Sequence, residues 1–372
     1  MEHVSQHIIK WMGVMTMLLL TLCSCGSEKQ ETVTGDPVLT FYVYAPDRPI
    51  PTRAAQIDPL TRESDIYSLQ IWVFESGTNT LVGYLQPNEM PTTAGKVYQM
   101  KVSEAFAYAV TRPHVDVYVV ANMAAVDLTL TEETDRTTLE NTVIGGNYFI
   151  PQKEVTEKGL PMSGVLRDKT VVGDNPILRI GDYANMAKVK LTRDVSKVRF
   201  VFCKATGTEL SIKSLQIDGN MIPTTEYVFL GTDGNNYHVG NSYVPNAISL
   251  SETIADGDVK SCDSPATYAY VSQDAQDYEN LIDQGVREGK LTQRGPYYFR
   301  ETDKKLSGVL KYQIGDNAVS EVTFSTAASG SFARNHSWIV YAYYESGDFL
   351  QLNTIYVKKW ENLIEEHNVY NW

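Results

Sequence analysis

The sequence predicts a mainly β protein made of two tandem antiparallel sandwiches, with one or two short helices. Three observations predict it. The 372 residues include 23 Tyr among many Val, Thr and Ile, side chains suited to pleated, half-buried strands. Short alternating runs recur along the chain with turn residues between them, a pattern of antiparallel sheets rather than of a parallel α/β sheet. At roughly 100–200 residues per domain, the length suits two domains, each able to bury its own core.

Val38–Ala45 reads as the first strand, with Leu39, Phe41, Val43 and Ala45 on one face. Pro46, Pro49 and Pro51 then forbid strand or helix and leave an extended, exposed segment. Strands follow at Ser68–Phe74, Leu81–Leu85, Lys96–Val102 and Val115–Ala121, and a helix at Thr131–Val143 that Thr131 would cap. Ile177–Ile180, Ala187–Leu191, Val198–Lys204 and Leu210–Asp218 are again β-patterned, with a seam placed near Asp182–Arg193. Beyond it, strands are expected at Tyr227–Leu230, Tyr268–Ser272, Tyr297–Phe299, Gly308–Ile314, Glu321–Ser325, Ser337–Tyr344 and Leu350–Val357. A helix at Asp274–Glu288 would gather Tyr278, Leu281, Ile282 and Val286 on one face. These strands fit β-sandwiches of the Ig-like or transthyretin-like kind.

The N-terminus bears on compartment. A polar start with Lys10 leads into an apolar run of about twelve residues, Trp11–Leu22, too short for a span of about 20 but suited to a signal peptide. Leu22-Cys23-Ser24-Cys25 resembles a bacterial lipobox, with Leu at −3, Ser at −1 and Cys25 as the lipidated residue. Cys23 is the poorer acceptor, because Leu22 would then fill the position that wants a small side chain. An ordinary secretory signal with incidental cysteines is the plainer alternative. Cys203 and Cys262 remain beyond the leader, and Cys203 ends a strand-like run where a buried free thiol is expected.

Lys and Arg total 32 against 45 Asp and Glu, a net charge of −13, which argues against a nucleic-acid partner. Catalytic chemistry finds no constellation. His114, His238, His336 and His367 lie in no His-Glu-x-x-His motif, and there is no Cys-x-x-Cys, Gly-x-Ser-x-Gly or phosphate loop. Asp233–Asn236 and Asp256–Asp258 are turn chemistry before they are calcium ligands. No enzyme, metal or cofactor is expected.

Several motifs, in order, carry a resemblance: Arg53-Ala54, Ile66–Phe74, Val117–Asn122, Leu160–Gly164, Leu191–Val198, Arg334–Val340 and Tyr356–Trp360. Together they resemble the type V (Bacteroidales-type) fimbrillins, the FimA/Mfa-like major fimbrial subunit family of lipoprotein pilins. The tail Glu361–Trp372, beyond the usual Trp, departs from that pattern.

The resemblance implies a signal peptide at 1–24, a lipidated propeptide with a removable first strand at 25–53, and sandwiches at 54–186 and 187–372. It implies an Arg-specific protease cutting between Arg53 and Ala54, export to the outer membrane with palmitate-type acylation at Cys25, and a surface fimbrium built by donor-strand exchange. Loss of the first strand, read as an edge strand, would open unpaired backbone beside an apolar slot. Another subunit's Leu350–Trp360 could fill it, with Leu350, Leu352, Tyr356 and Trp360 on one face. The implied partners are other fimbrial subunits, in a homopolymer or with tip and anchor subunits, together with the protease and the membrane lipid. The alternatives are a tip or anchor subunit, or a surface glycan-binding lipoprotein using Tyr297-Tyr298 and Tyr341-Ala342-Tyr343-Tyr344.

Overall fold

The computed structural model of the protein describes residues 36–45, 63–88, 90, 95–145, 149–150, 155, 157–174, 176–230, 239–250, 252–269, 275–325 and 332–359. Two sheets face each other across a first core. One runs β11 (Lys188–Lys190), β1 (Val38–Tyr44), β10 (Ile177–Ile180), β9 (Val171–Val172), with β4 (Gly95–Lys101) also paired to β1. The other runs β12 (Thr192–Arg193), β8 (Met162–Lys169), β5 (Val115–Ala121), β2 (Leu69–Glu75), β3 (Leu81–Leu85). Leu39, Phe41, Val43, Met100 and Leu178 from the first sheet meet Ile71, Val73, Val117 and Val119 from the second.

The second sandwich is built the same way. Its larger sheet runs β22 (Gln351–Lys359), β21 (His336–Tyr344), β13 (Ser196–Ala205), β18 (Thr292–Phe299), β7 (Phe149–Ile150), with β17 (Ser261–Cys262) beside β13. Its partner runs β16 (Ile248–Ser249), β14 (Ser211–Ile217), β19 (Ser307–Gln313), β20 (Ser320–Ser325). Phe200, Phe202, Trp338 and Val340 pack on Leu215, Ile217, Leu310 and Phe324 between them. A two-stranded ladder of β6 (Val143–Ile144) and β15 (Glu226–Tyr227) and the β7–β18 pair tie the two halves of the chain together.

Sequence periodicity explains why two strands run almost wholly apolar. In β2, Ile71 and Val73 face the sandwich core, whereas Trp72 and Phe74 face a second cluster with Tyr118, Leu139 and Phe229. Strand β13 likewise sends Val198, Phe200 and Phe202 inward, and Val201 and Cys203 toward Tyr278 and Ile282 of the helix α3 (Ala275–Arg287). Both faces are covered, so the alternation of a half-solvated strand disappears.

Several expectations are corrected. The helix expected at Thr131–Val143 shrinks to α2 (Arg136–Glu140), capped by Asp135, whose carboxylate accepts from Thr138 N at 2.8 Å; Val143 begins a strand instead. A further short helix, α1 (Glu104–Ala107), is capped by Ser103. On α3, Tyr278 and Ile282 are buried as expected, but Leu281 turns outward. Of the strand expected at Tyr268–Ser272, Tyr268 belongs to the 3₁₀ turn Pro265–Tyr268 and residues 270–272 lie outside the described residues. Strand β8 went unread because polar Ser163, Arg167 and Asp168 break its alternation. The strands at 188–190 and 192–193 join the sheets of the first sandwich, although they lie beyond residue 186. The sandwiches are also not purely antiparallel: β1 runs parallel to β10 and β11, and β13 parallel to β21.

Candidate functional site

The first strand is an interior strand of its sheet, which corrects the edge position expected from sequence. All seven residues of β1 pair antiparallel with β4, from Val38↔Lys101 to Tyr44↔Gly95. On the other side Val38–Thr40 pair with β10 and Tyr42–Tyr44 with β11. Leu39 and Phe41 are fully buried, Val43 and Ala45 nearly so, and the Thr40 hydroxyl donates to Leu178 O at 2.8 Å. Burying the three larger apolar side chains contributes about 5–9 kcal/mol, at about 1.5–3 kcal/mol each. The slot that β1 fills is therefore apolar on its floor and lined by backbone on both walls.

Leu350–Lys359 lies in its own subunit's second sandwich in this state. Leu350 is buried in the core, and Leu352 is partly buried against it, opposite Ala342 of β21. Among the described residues, strand β22 is the outer strand of its sheet, paired along eight positions to β21 alone. Tyr356 pairs with Trp338, and a register shift then inserts one residue before Lys358. The alternation that would carry one face onward from Tyr356 is broken there. Cys25, Arg53, Ala54 and Trp360 lie outside the described residues.

A buried polar junction joins five of the sequence motifs. Asn122, in the left-handed conformation at φ 60°, accepts from Tyr67 N at 2.8 Å and donates to Leu160 O at 2.9 Å, so the second, third and fourth motifs meet. In the fourth motif, a Cβ on Gly164 would stand 2.5 Å from Lys190 O, so only glycine allows β8 and β11 to approach. Arg193 of the fifth motif donates to Glu63 O at 3.1 Å, Ser64 Oγ at 2.7 Å and Asn335 Oδ1, in the sixth motif, at 3.0 Å. Glu63 in turn binds Lys197 Nζ at 3.0 Å and accepts from the Tyr298 hydroxyl at 2.6 Å, all buried.

Arg334 is the centre of the second half of the junction. Its guanidinium donates to Asp194 Oδ1 at 2.9 Å, Glu301 Oε1 at 2.7 Å, Val228 O at 2.8 Å and Tyr227 O at 2.7 Å, with Glu226 Oε1 at 3.1 Å. Asp194, Glu226 and Glu301 are all 0% exposed. Three carboxyls gathered on Arg334 in an interior cannot all ionise cheaply. Burial pushes Asp194 up to about 7 and Glu226 well above the usual range, both against the pull of Arg334. The Ser163 hydroxyl lies 2.7 Å from Asp194 Oδ1 and 2.6 Å from Val228 O. It has one proton for two acceptors, and a proton on Asp194 makes the second bond.

Sequence reasoning found the motifs but gave these charges no role. The signal was there in Lys197 and Arg199, cations inside an apolar strand run. Arg199 is fully buried and pairs with Glu279 and Asp283 on α3 at 2.8 and 2.5 Å. The tyrosine clusters proposed for sugar stacking are core: Tyr297, Tyr298, Tyr341 and Tyr344 are buried. Asp256 is bound by Lys204 and accepts from Leu210 N at 2.6 Å. Among the described residues no group of three or more His, Cys, Asp or Glu is placed to hold a metal ion. No described helix is long and apolar enough to cross a membrane.

Residues 50–216, a little under half the chain, match the family model of the major fimbrial subunit protein (FimA). No curated protein matches. Among solved structures, a candidate cell adhesion protein from Parabacteroides distasonis ATCC 8503 is similar at 14% identity and a TM-score of 0.50, over 88% of this chain and 98% of that one. The tip fimbrial protein Mfa3 from Porphyromonas gingivalis, with a C-terminal truncation, aligns at 14% identity and a TM-score of 0.48, over 87% and 99%. At 14% identity the likeness to the Parabacteroides distasonis protein is one of fold. The matched model describes a structural subunit of fimbriae. Over residues 50–216, the chain is therefore similar to the major fimbrial subunit (FimA) family.

Proposed function

We propose that the chain is a pilus subunit made as a lipoprotein precursor, acylated at Cys25 and cut between Arg53 and Ala54. It then polymerises by replacing β1 with a strand from another copy. The observation that carries this reading is the interior position of β1. Covalent attachment keeps β1 in its slot; once the chain is cut, a competitor of the same length can take its place. An incoming strand gains β4 over seven partners and β10 and β11 over three each. At home, β22 has β21 over eight partners, with α3 and β20 against it. Two walls of backbone in place of one favour the slot, because unpaired buried N–H and C=O groups cost about 1–3 kcal/mol each. A head-to-tail contact of this kind does not close, so it yields a filament.

The cut site is supported from the other side. Glu63 and Ser64 are buried and held by Arg193, Lys197 and Tyr298, so a protease at Arg62 would have to pull them from the junction. Arg53 lies ahead of that clamp. Leu350 and Leu352 make Leu350–Trp360 the candidate donor, at the cost of their contacts in the second core. The test is treatment of the full chain with an Arg-specific protease and electrophoresis without boiling. A ladder that Arg53→Ala fails to form supports the reading; a ladder formed equally by Arg53→Ala refutes it.

A further inference from the structure

Cys203 lies in β13, and Cys262 in β17, which runs parallel beside it with Ala205 opposite Cys262. Both point into the small core under α3, among Val201, Tyr278, Leu291 and Tyr341. Their Sγ atoms stand 3.4 Å apart, and both are free thiols here. We propose that Cys203 and Cys262 are joined as a disulfide in the exported protein. The inference rests on a cell-surface destination, where disulfides persist, and not on strand exchange.

Geometry favours the bond. A disulfide needs sulfurs about 2.05 Å apart, so the pair must close by about 1.4 Å. Strand β17 has two residues and, among the described residues, pairs with β13 alone, so it can move inward without breaking another described ladder. The side chains already share one face. Cys203 is fully buried and its thiol is pushed up to about 12 by burial, then by Cys262, so it is a poor nucleophile at neutral pH.

Cys262 is the more exposed and therefore reacts first. Its thiolate, having lost a proton to water, attacks one sulfur of a disulfide donor, such as an oxidised dithiol protein or glutathione disulfide. One donor thiolate leaves. Cys203 then gives up its proton and attacks Cys262 Sγ, displacing the second donor thiolate. The two cysteines lose two electrons and two protons, and the donor gains both electrons as it becomes two thiols. The bond would close a loop of 59 residues in sequence separation, constraining the unfolded chain far more than a short loop does.

The test uses full chain exported through the cell envelope, denatured in iodoacetamide without reductant and then mapped as peptides. The expected result is one crosslinked pair holding Cys203 and Cys262, about 2 Da lighter than the two reduced peptides together, with neither thiol alkylated. In Cys262→Ser, chosen because Cys203 is too buried to replace safely, the crosslink should vanish while the β spectrum stays unchanged. Both thiols alkylated in wild type, even after incubation with glutathione disulfide, would overturn the proposal. So would a crosslink from Cys203 to any other cysteine.

Discussion

Replacing Arg334 with Met should destabilise the protein strongly at pH 8 and much less at pH 5. The substitution keeps a long apolar stem but removes the cation among Asp194, Glu226 and Glu301, all fully buried. Removing one partner of a buried ion pair costs about 3–5 kcal/mol, because the remaining charge has no counterpart. The pH dependence follows from the acids. Unfolded, an aspartate titrates near 3.9, whereas folded Asp194 is raised to about 7 by burial. The folded state thus holds a proton that the unfolded state releases, and this residue's contribution to stability falls as pH rises from about 4 to 7. The fall amounts to about 4 kcal/mol. Without Arg334, Asp194 and Glu226 lose the charge that pulls them down, so their protonated forms dominate at pH 5 and the cost shrinks toward that of the lost hydrogen bonds. Urea midpoints read by the fluorescence of buried Trp72 and Trp338 would measure it. A loss below about 1 kcal/mol at pH 8, or one equal at both pH values, would refute the assignment of these carboxyls.

Other outcomes are equally specific. Phe41→Ala should cost the uncut precursor about 3–5 kcal/mol and leave assembled mature filaments unchanged, since they no longer hold that strand; equal melting shifts in both would contradict removal of β1. Cys25→Ala should abolish incorporation of labelled fatty acid, and retained label would move the acylation to another residue. N-terminal sequencing of filaments should begin at Ala54; a start at Glu63 would mean that the buried junction opens for the protease. Asp194→Asn, which imitates the protonated form, should flatten the rise in stability expected as pH falls from 8 to 6, and an unchanged slope would place that proton elsewhere.

Local pattern made the strands legible and left their neighbours hidden. The alternation Leu39, Phe41, Val43, Ala45 gave the inward face of β1 directly, and all four are buried. Its interior position could not be read, because the wall opposite β4 comes from β10 and β11, more than 130 residues away, and parallel pairing leaves no turn signature. The junction was hidden for a related reason. Lys197 and Arg199 alternate with apolar Val198 and Phe200, but their partners Glu63, Glu279 and Asp283 come from distant segments that no local pattern links to them. Asp135 took the cap of α2 from Thr131 because its carboxylate reaches Thr138 N, a choice of a few residues that propensity alone does not settle.

The central claim is that the slot of β1 is where subunits join. It is tested most directly by a synthetic peptide of residues 38–45 added in excess during protease-driven assembly. The peptide restores the native occupant, so it should cap the slot and hold the protein as monomers, while a scrambled peptide of the same composition leaves the oligomer ladder intact. A ladder that grows undiminished beside the native peptide would contradict the account.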